Sequence, residues 1–208
     1  MWDYEDVDGY QPILHEQLRR ILNWLPAEAR GPRVVGSFAD TRSVHRWMFL
    51  GLTPKGYDYF AGHYRGESFR CLQYYEVGVG GDSRVGCPSG DVAGQMSTLG
   101  NEIRTGVAAL DAGVAASDGQ VPREDKLLYA VSLAARLFQW FLTIHPYANG
   151  NGHIGRYIVL AVLVRCGFWP KHWTVDPRPG RPGYAAAIMA HRNGQPEALE
   201  EFILNCLR

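Results

Sequence analysis

The chain has no net charge: 21 Lys and Arg stand against 21 Asp and Glu in 208 residues. Without an excess of either sign it exerts no long-range pull on a polyanion, which argues against general nucleic-acid binding and leaves room only for a local basic site. It also lacks a CxxC pair. Its four cysteines, Cys71, Cys87, Cys166 and Cys206, are scattered, in a spacing that fits no zinc site or disulfide framework, so free thiols in a reducing cytoplasm are expected. Long apolar runs are missing too: the longest, residues 157–164, is closed by Arg156 and Arg165. That is far short of the ~18 residues of a membrane span. The acidic opening MWDYEDVDGY has no apolar stretch of the kind that directs secretion. No repeat at a period of ~20–50 residues is present. The 46 % hydrophobic and 20 % charged residues exclude bulk disorder and allow a substantial core.

What is present is mostly helical periodicity. Ile13, Leu14, Leu18, Ile21, Leu22 and Leu25 recur at three- and four-residue steps, which predicts an amphipathic helix over 11–25, opened by Pro12 and closed by Pro26. A second helix is expected over 41–52, before Pro54. In 69–79, Phe69, Cys71, Gln73 and Tyr75 alternate with Arg70, Leu72 and Tyr74, and glycines follow at Gly78, Gly80, Gly81 and Gly86. That pattern predicts a β-hairpin with a glycine-rich tip. Asp91 is placed to cap a helix reaching about 110. Leu127, Val131, Ala134, Phe138 and Phe141 form a broad apolar stripe on a helix from 122 to 142. Residues 152–166 are apolar nearly all round and stop at Gly167, so they read as the buried central helix. Helices at 184–192 and 196–207 close a mainly α chain with one small hairpin.

Between the two central helices runs Ile144-His145-Pro146-Tyr147-Ala148-Asn149-Gly150-Asn151-Gly152-His153-Ile154-Gly155-Arg156. Physically this is a histidine at a helix end, a proline that stops the helix, a Gly-Asn-Gly turn and a new helix. Glycines on both sides of Asn151 let the backbone approach a ligand with its amides outward. The helix N-terminus adds partial positive charge, and Arg156 lies about one turn in, an arrangement suited to phosphate. His145 beside it is a candidate base near neutrality. The combination points to phosphoryl or nucleotidyl transfer; a plain connector between helices is the bland alternative.

HPYANGNGHIGR resembles the signature of the Fic family, of general form HPFx(D/E)GNGRxxR. Gly62-His63-Tyr64-Arg65-Gly66 is similar to that family's G-x-Y-R segment, and the expected hairpin lies where the family carries its target-docking flap. The resemblance implies a Fic-type helical bundle over 41–208, with residues 1–40 as an N-terminal helical segment of the same domain. It implies transfer of a nucleoside monophosphate, AMP from ATP foremost, to a Ser, Thr or Tyr hydroxyl of a target protein docked along about 69–90. His145 takes the hydroxyl's proton. Gly150, Asn151 and Gly152 form the phosphate turn, Arg156 holds the outer phosphates, and Tyr147 anchors the loop in the core. Two positions depart from the pattern. Asn149 stands where Asp or Glu binds Mg²⁺ (or Mn²⁺), which weakens a hard-cation site by one charge. His153 stands at the first phosphate arginine, and imidazole offers no bidentate fork.

The family's self-inhibitory pattern (S/T)xxxE(G/N) has its nearest match at Thr98 to Glu102, but Ile103 follows and the segment lies after the flap, so a solvated helix face is the better reading. A separate inhibitory partner protein would then supply any restraint. Membrane and nucleic-acid partners are not expected. His63 and Arg65 are read as structural, as are Trp169, His172, Trp173, Asp176 and Arg178 in a packed loop, and Glu200 and Glu201 as a solvated face. A Fic-fold phosphotransferase that binds its donor inverted, and a binding protein without catalysis, remain the rival readings.

Overall fold

A computed structural model describes residues 2–78, 82–180 and 182–208. After a 3-10 turn at Tyr4–Asp6 the described residues form eight α-helices: α1 Tyr10–Glu28, α2 Pro32–Ala39, α3 Arg42–Phe49, α4 Val92–Ala115, α5 Arg123–Ile144, α6 Asn151–Arg165, α7 Tyr184–Arg192 and α8 Pro196–Asn205. α6 is the axis. Every residue of it except Gly152 is buried, because its apolar surface runs all round and needs neighbours on every side. It packs against α5, α1 and α2, while α5 also meets α4, α7 and α8. By length and composition α5 could cross a membrane, with a mean hydropathy of 1.5 over its most apolar stretch, but 56 % of that stretch is buried inside the protein.

α1 buries Leu14, Leu18, Ile21 and Leu25 along one stripe. Pro12 sits in its first turn, where a missing N–H costs nothing. Pro26 does not end the helix, which runs on to Glu28. Tertiary contacts hold that last turn. Arg165, at the end of α6, donates to Ala29 O at 2.9 Å and Gly31 O at 3.1 Å while its other nitrogens hold Asp111 of α4. α2 is a short helix opened by Gly31 and Pro32 that buries Val34 and Phe38. α4 starts where Asp91 was expected to cap it, though that side chain makes no capping bond.

The expected hairpin is not formed by the described residues. Residues 70–74 are turns, residues 75–78 carry no regular structure, and no strand occurs among the described residues. Cys71 has φ +70°, a left-handed conformation that breaks the alternation of side chains a strand requires. The glycine-rich tip at 79–81 lies outside the described residues. Around that gap, Leu72 is buried and Leu72 O accepts from Gly66 N–H at 2.8 Å, so the segment folds back on the protein as a loop.

Candidate phosphate-binding site

α5 and α6 are packed neighbours joined by residues 145–150. The connection is short, so they run antiparallel and the C-terminus of α5 lies beside the N-terminus of α6. The negative end of one helix thus adjoins the positive end of the other. That juxtaposition is favourable, and Arg65 adds a full positive charge at the α5 end. Its side chain is fully buried and donates from Nε to His145 O at 2.8 Å and from Nη2 to Ile144 O at 3.2 Å and Cys87 O at 2.9 Å. Nη1 donates to Tyr75 O at 3.0 Å, and the Arg65 backbone N–H to Pro146 O at 2.8 Å. A cation on the last carbonyls of α5 satisfies acceptors the helix leaves open and fixes the 75–87 segment to them.

His145 caps α5 with φ +54° and ψ +60°, its N–H bound to Phe141 O at 2.9 Å. Nδ1 lies 3.3 Å from Leu142 O, the geometry of an Nδ1–H donating to that carbonyl. Nε2 has no hydrogen-bond partner among the described residues. Burial, helped by the nearby charges of Arg65 and Arg192, brings the His145 pKa down to about 4. The imidazole is therefore neutral at pH 7 with a lone pair on Nε2, ready to accept a proton.

The turn that follows is braced from inside. Tyr147 is fully buried, its hydroxyl 2.7 Å from Thr41 Oγ1, and its ring stacks on His45 at 3.7 Å. This is the anchoring role expected of it. Asn151 accepts Tyr147 N–H on Oδ1 at 2.9 Å and returns Nδ2–H to Tyr147 O at 2.8 Å. Its side chain is consumed within the turn, and only its backbone N–H faces outward use. Gly150 takes φ +79°, and a Cβ there would lie 2.4 Å from Phe49 Cε2, so this glycine is required twice over. His45, which the sequence reading passed over, completes the brace: Nδ1 accepts Gly62 N–H at 2.9 Å and Nε2 bonds Asn149 O at 3.0 Å. The ring must be the neutral Nε2–H tautomer to do both, and burial takes its pKa down to about 3.

The two departures from the family pattern have different fates. Asn149 Oδ1 accepts Gly150 N–H at 2.6 Å, and Nδ2 donates to Trp2 O at 3.3 Å and Asp3 Oδ1 at 3.2 Å. Its amide ties the turn to the N-terminal segment, whose Trp2 stacks on Phe60 and donates Nε1–H to Leu52 O at 2.9 Å. No group of three or more His, Cys, Asp or Glu side chains among the described residues is placed to hold a metal. His153 is buried between Tyr4 and Phe49, with Nε2 3.1 Å from Asp176 Oδ1. Burial holds its pKa below the usual histidine range even against the pull of Asp176, so it brings no positive charge to an anion.

Arg156 is different. It is 7 % exposed, with Nε bound to Val175 O at 2.6 Å and its own carbonyl accepting Trp173 Nε1–H at 3.0 Å. A Cβ on Gly152 would lie 3.0 Å from Arg156 Nη1, so the guanidinium reaches back over the first turn of α6. No carboxylate among the described residues lies within ion-pair distance of it. Glu102, the nearest thing to an inhibitory glutamate in the sequence, pairs with Arg136 at 2.6 Å instead.

The model of the Fic/DOC family matches residues 37–163. The chain belongs to the Fic/DOC family. Members of that family are in general transferases, and this Fic chain keeps the histidine, the Gly-Asn-Gly turn and the second arginine in one connected unit. A search of curated proteins found no match. The family match covers the site and its brace from Ser37 onward, while the Trp2–Asp3 contacts to Asn149 and the Asp176 contact to His153 come from outside it. One further residue beside the base went unread in the sequence. Arg192, in the last turn of α7, pairs with Asp82 at 2.7 Å, both side chains 9 % exposed. With its amide oxygen turned toward Arg192, Gln139 of α5 accepts from Nε at 2.8 Å. A lone arginine at a helix end carries no sequence signal for such a position. His63 and Trp173 are structural as expected, through Glu67 at 2.5 Å and Arg156 O respectively.

Proposed function

We propose that this chain transfers a nucleoside monophosphate from a nucleotide donor to a Ser, Thr or Tyr hydroxyl of a target protein. The observation that carries the reading is Arg156: a guanidinium 7 % exposed with no carboxylate partner, laid over the N-terminus of a 15-residue helix. Asp176 acts on this guanidinium only from beyond ion-pair distance, and a bound anion in direct contact offsets the cost of burying the charge. The helix amides add donors to the same anion. Neutral His145, its Nε2 unpartnered, supplies the base: it takes the hydroxyl proton as the oxygen attacks phosphorus. Arg65 keeps that ring in place by fixing its backbone carbonyl.

Target docking along residues 69–90 belongs to the same proposal. Tyr74 is 82 % exposed beside the irregular stretch 75–78, offering an aromatic anchor to an incoming chain. The resemblance puts ATP with Mg²⁺ first among donors.

Purified protein is incubated with lysate proteins and with ATP, CTP, GTP and UTP labelled at the α- or γ-phosphate, with Mg²⁺ or Mn²⁺ and in EDTA, beside His145→Ala. Label from the α-phosphate on protein that falls ~10²–10⁴-fold in His145→Ala is the expected result. Label from the γ-phosphate alone supports phosphotransfer instead. No labelling by any of these donors overturns the transfer reading in favour of a binding protein.

A further inference from the structure

The segment read as docking a target has two limbs of unequal commitment. Along residues 84–87 the backbone amides are already used inside the protein. Arg84 N–H donates to Asp82 Oδ1 at 3.1 Å and Val85 N–H to Asp82 O at 3.3 Å. Gly86 N–H and Cys87 N–H donate to Thr143 O at 2.9 Å and Ile144 O at 3.3 Å, at the end of α5. The other limb turns side chains to solvent: Arg70, Cys71, Gln73, Tyr74 and Glu76 are exposed. Amides spent on α5 are not available to an incoming chain. Residues 82–87 are therefore the mount, and residues 70–76 the face a target meets.

One buried ion pair secures the mount. Asp82 Oδ2 accepts from Arg192 Nη1 at 2.7 Å, with both side chains 9 % exposed. Arg84 closes round the same carboxylate, Nε to Oδ1 at 2.8 Å and Nη2 to Oδ2 at 3.1 Å. Its Nη1 donates to Arg192 O at 3.1 Å and Asn193 Oδ1 at 3.0 Å. The two guanidiniums hold the Asp82 carboxyl well below the usual carboxylate range. With the Gln139 amide oxygen turned toward Arg192, α5, α7 and residue 82 meet at one guanidinium. The mount passes its position to the exposed face at two points. Arg65 holds Cys87 O and Tyr75 O together, at 2.9 and 3.0 Å. Gly86, at φ +88°, comes so near Val77 that a Cβ on it would lie 2.4 Å from Val77 O.

We infer that Arg192 is a positioning residue for modification of the target: through Asp82 it fixes residues 82–87 to the ends of α5 and α7, and so sets where a hydroxyl docked on residues 70–76 stands relative to His145. The inference rests on the transfer reading and names the residue that aligns the acceptor. His145 directly follows Thr143 and Ile144, whose carbonyls carry the mount, so base and docking segment share one support. Water is an acceptor that needs no docking face. Its oxygen bonds to the same phosphorus, its proton passes to His145, and the bond from phosphorus to the bridging oxygen breaks with the electron pair leaving on the remaining phosphates. Lost alignment therefore lowers transfer to protein and spares transfer to water.

Arg192→Met and Asp82→Asn are compared with the wild-type chain in two measurements. With each α-labelled nucleotide, label on lysate proteins is divided by labelled nucleoside monophosphate released to water. That ratio is expected to fall about 10-fold or more in both variants. General loss of structure lowers both quantities and leaves the ratio in place. In amide hydrogen exchange, peptides covering residues 84–88 are expected to exchange about 10-fold or more faster, with those of α6 at the wild-type rate. Asp82→Asn leaves Arg192 on Gln139, so the test does not depend on one variant folding. A ratio within ~2-fold of wild type in both variants overturns the inference, as does unchanged exchange at residues 84–88. If the wild type transfers to water but to no lysate protein, the exchange result decides in the same way. A wild type silent toward protein and water with every nucleotide overturns the transfer reading, and this inference falls with it.

Discussion

His145 is one of two non-glycine residues with a left-handed backbone among the described residues, Cys71 being the other. That conformation costs on the order of 1 kcal/mol for a residue with a Cβ, and it is sustained by Arg65 on the carbonyl and Phe141 on the amide. It breaks the line of α5 at His145, whose ring folds back so that Nδ1 meets Leu142 O. Because burial sets the His145 pKa at about 4 against an ordinary value of 6.5, the base form persists well into acid. Activity should fall as pH drops through about 4, not through 6.5, in the kcat/KM profile of the free enzyme. An acid limb near 6.5 would show that the ring titrates as if exposed. Gly150 makes a second residue-scale case. Gly150→Ala must adopt a positive φ and press on Phe49, and we expect a loss of about 2–4 kcal/mol in denaturant unfolding.

At the scale of elements, the site is a junction of two helix ends tied to a third segment by Arg65. Arg65→Met removes the bonds to Ile144, His145, Tyr75 and Cys87 in one step. The anion cradle itself lies on α6, so donor affinity should change little while kcat falls at least about 10-fold through misplacement of His145. Steady-state kinetics beside donor calorimetry distinguish this from general loss of structure, which would lower both. The N-terminal segment is the other bracing element. Trp2 is 4 % exposed and packs on Phe60, Phe49 and His45. Trp2→Ala should cost about 3 kcal/mol in denaturant melts and free the Asn149 amide, which is visible as a shifted side-chain NH₂ resonance.

Across the whole molecule, buried neutral imidazoles link stability to pH. His45 titrates at about 3 and His145 at about 4 in the folded protein, both below the ordinary 6.5, and burial lowers His153 as well. Below about 6.5 the unfolded chain binds protons that the folded one refuses, so unfolding becomes easier as pH falls. Thermal melts should show Tm level above pH 7 and declining steadily from about 6.5 toward 4. A flat Tm across that window would mean that these rings charge without cost in the folded state. The charge balance has a local counterpart: opposite charges meet in pairs such as Arg165–Asp111, Arg192–Asp82 and Arg136–Glu102, and of the three buried arginines among the described residues, Arg65, Arg156 and Arg165, Arg156 alone has no carboxylate within ion-pair distance.

The helices with long apolar stripes were legible in order and nearly in extent, because a 3.6-residue period is a local property of the chain. So was the phosphate turn, since a proline, two glycines and a helix start dictate its shape within a few residues. The short helix at Pro32–Ala39 and the continuation of α1 past Pro26 were not legible; both depend on neighbours such as Arg165, 134 and 136 residues away from the carbonyls it holds. Alternation in 69–79 suggested strands, but a strand needs a paired edge, and the chain here uses Arg65 and Gly66 to fold the segment back as a loop. Local sequence alone determined the shape of the turn between α5 and α6. Only the tertiary structure decided that Asn149 and His153 are spent on Trp2, Asp3 and Asp176, because a side chain's partners are set by which distant segments pack beside it.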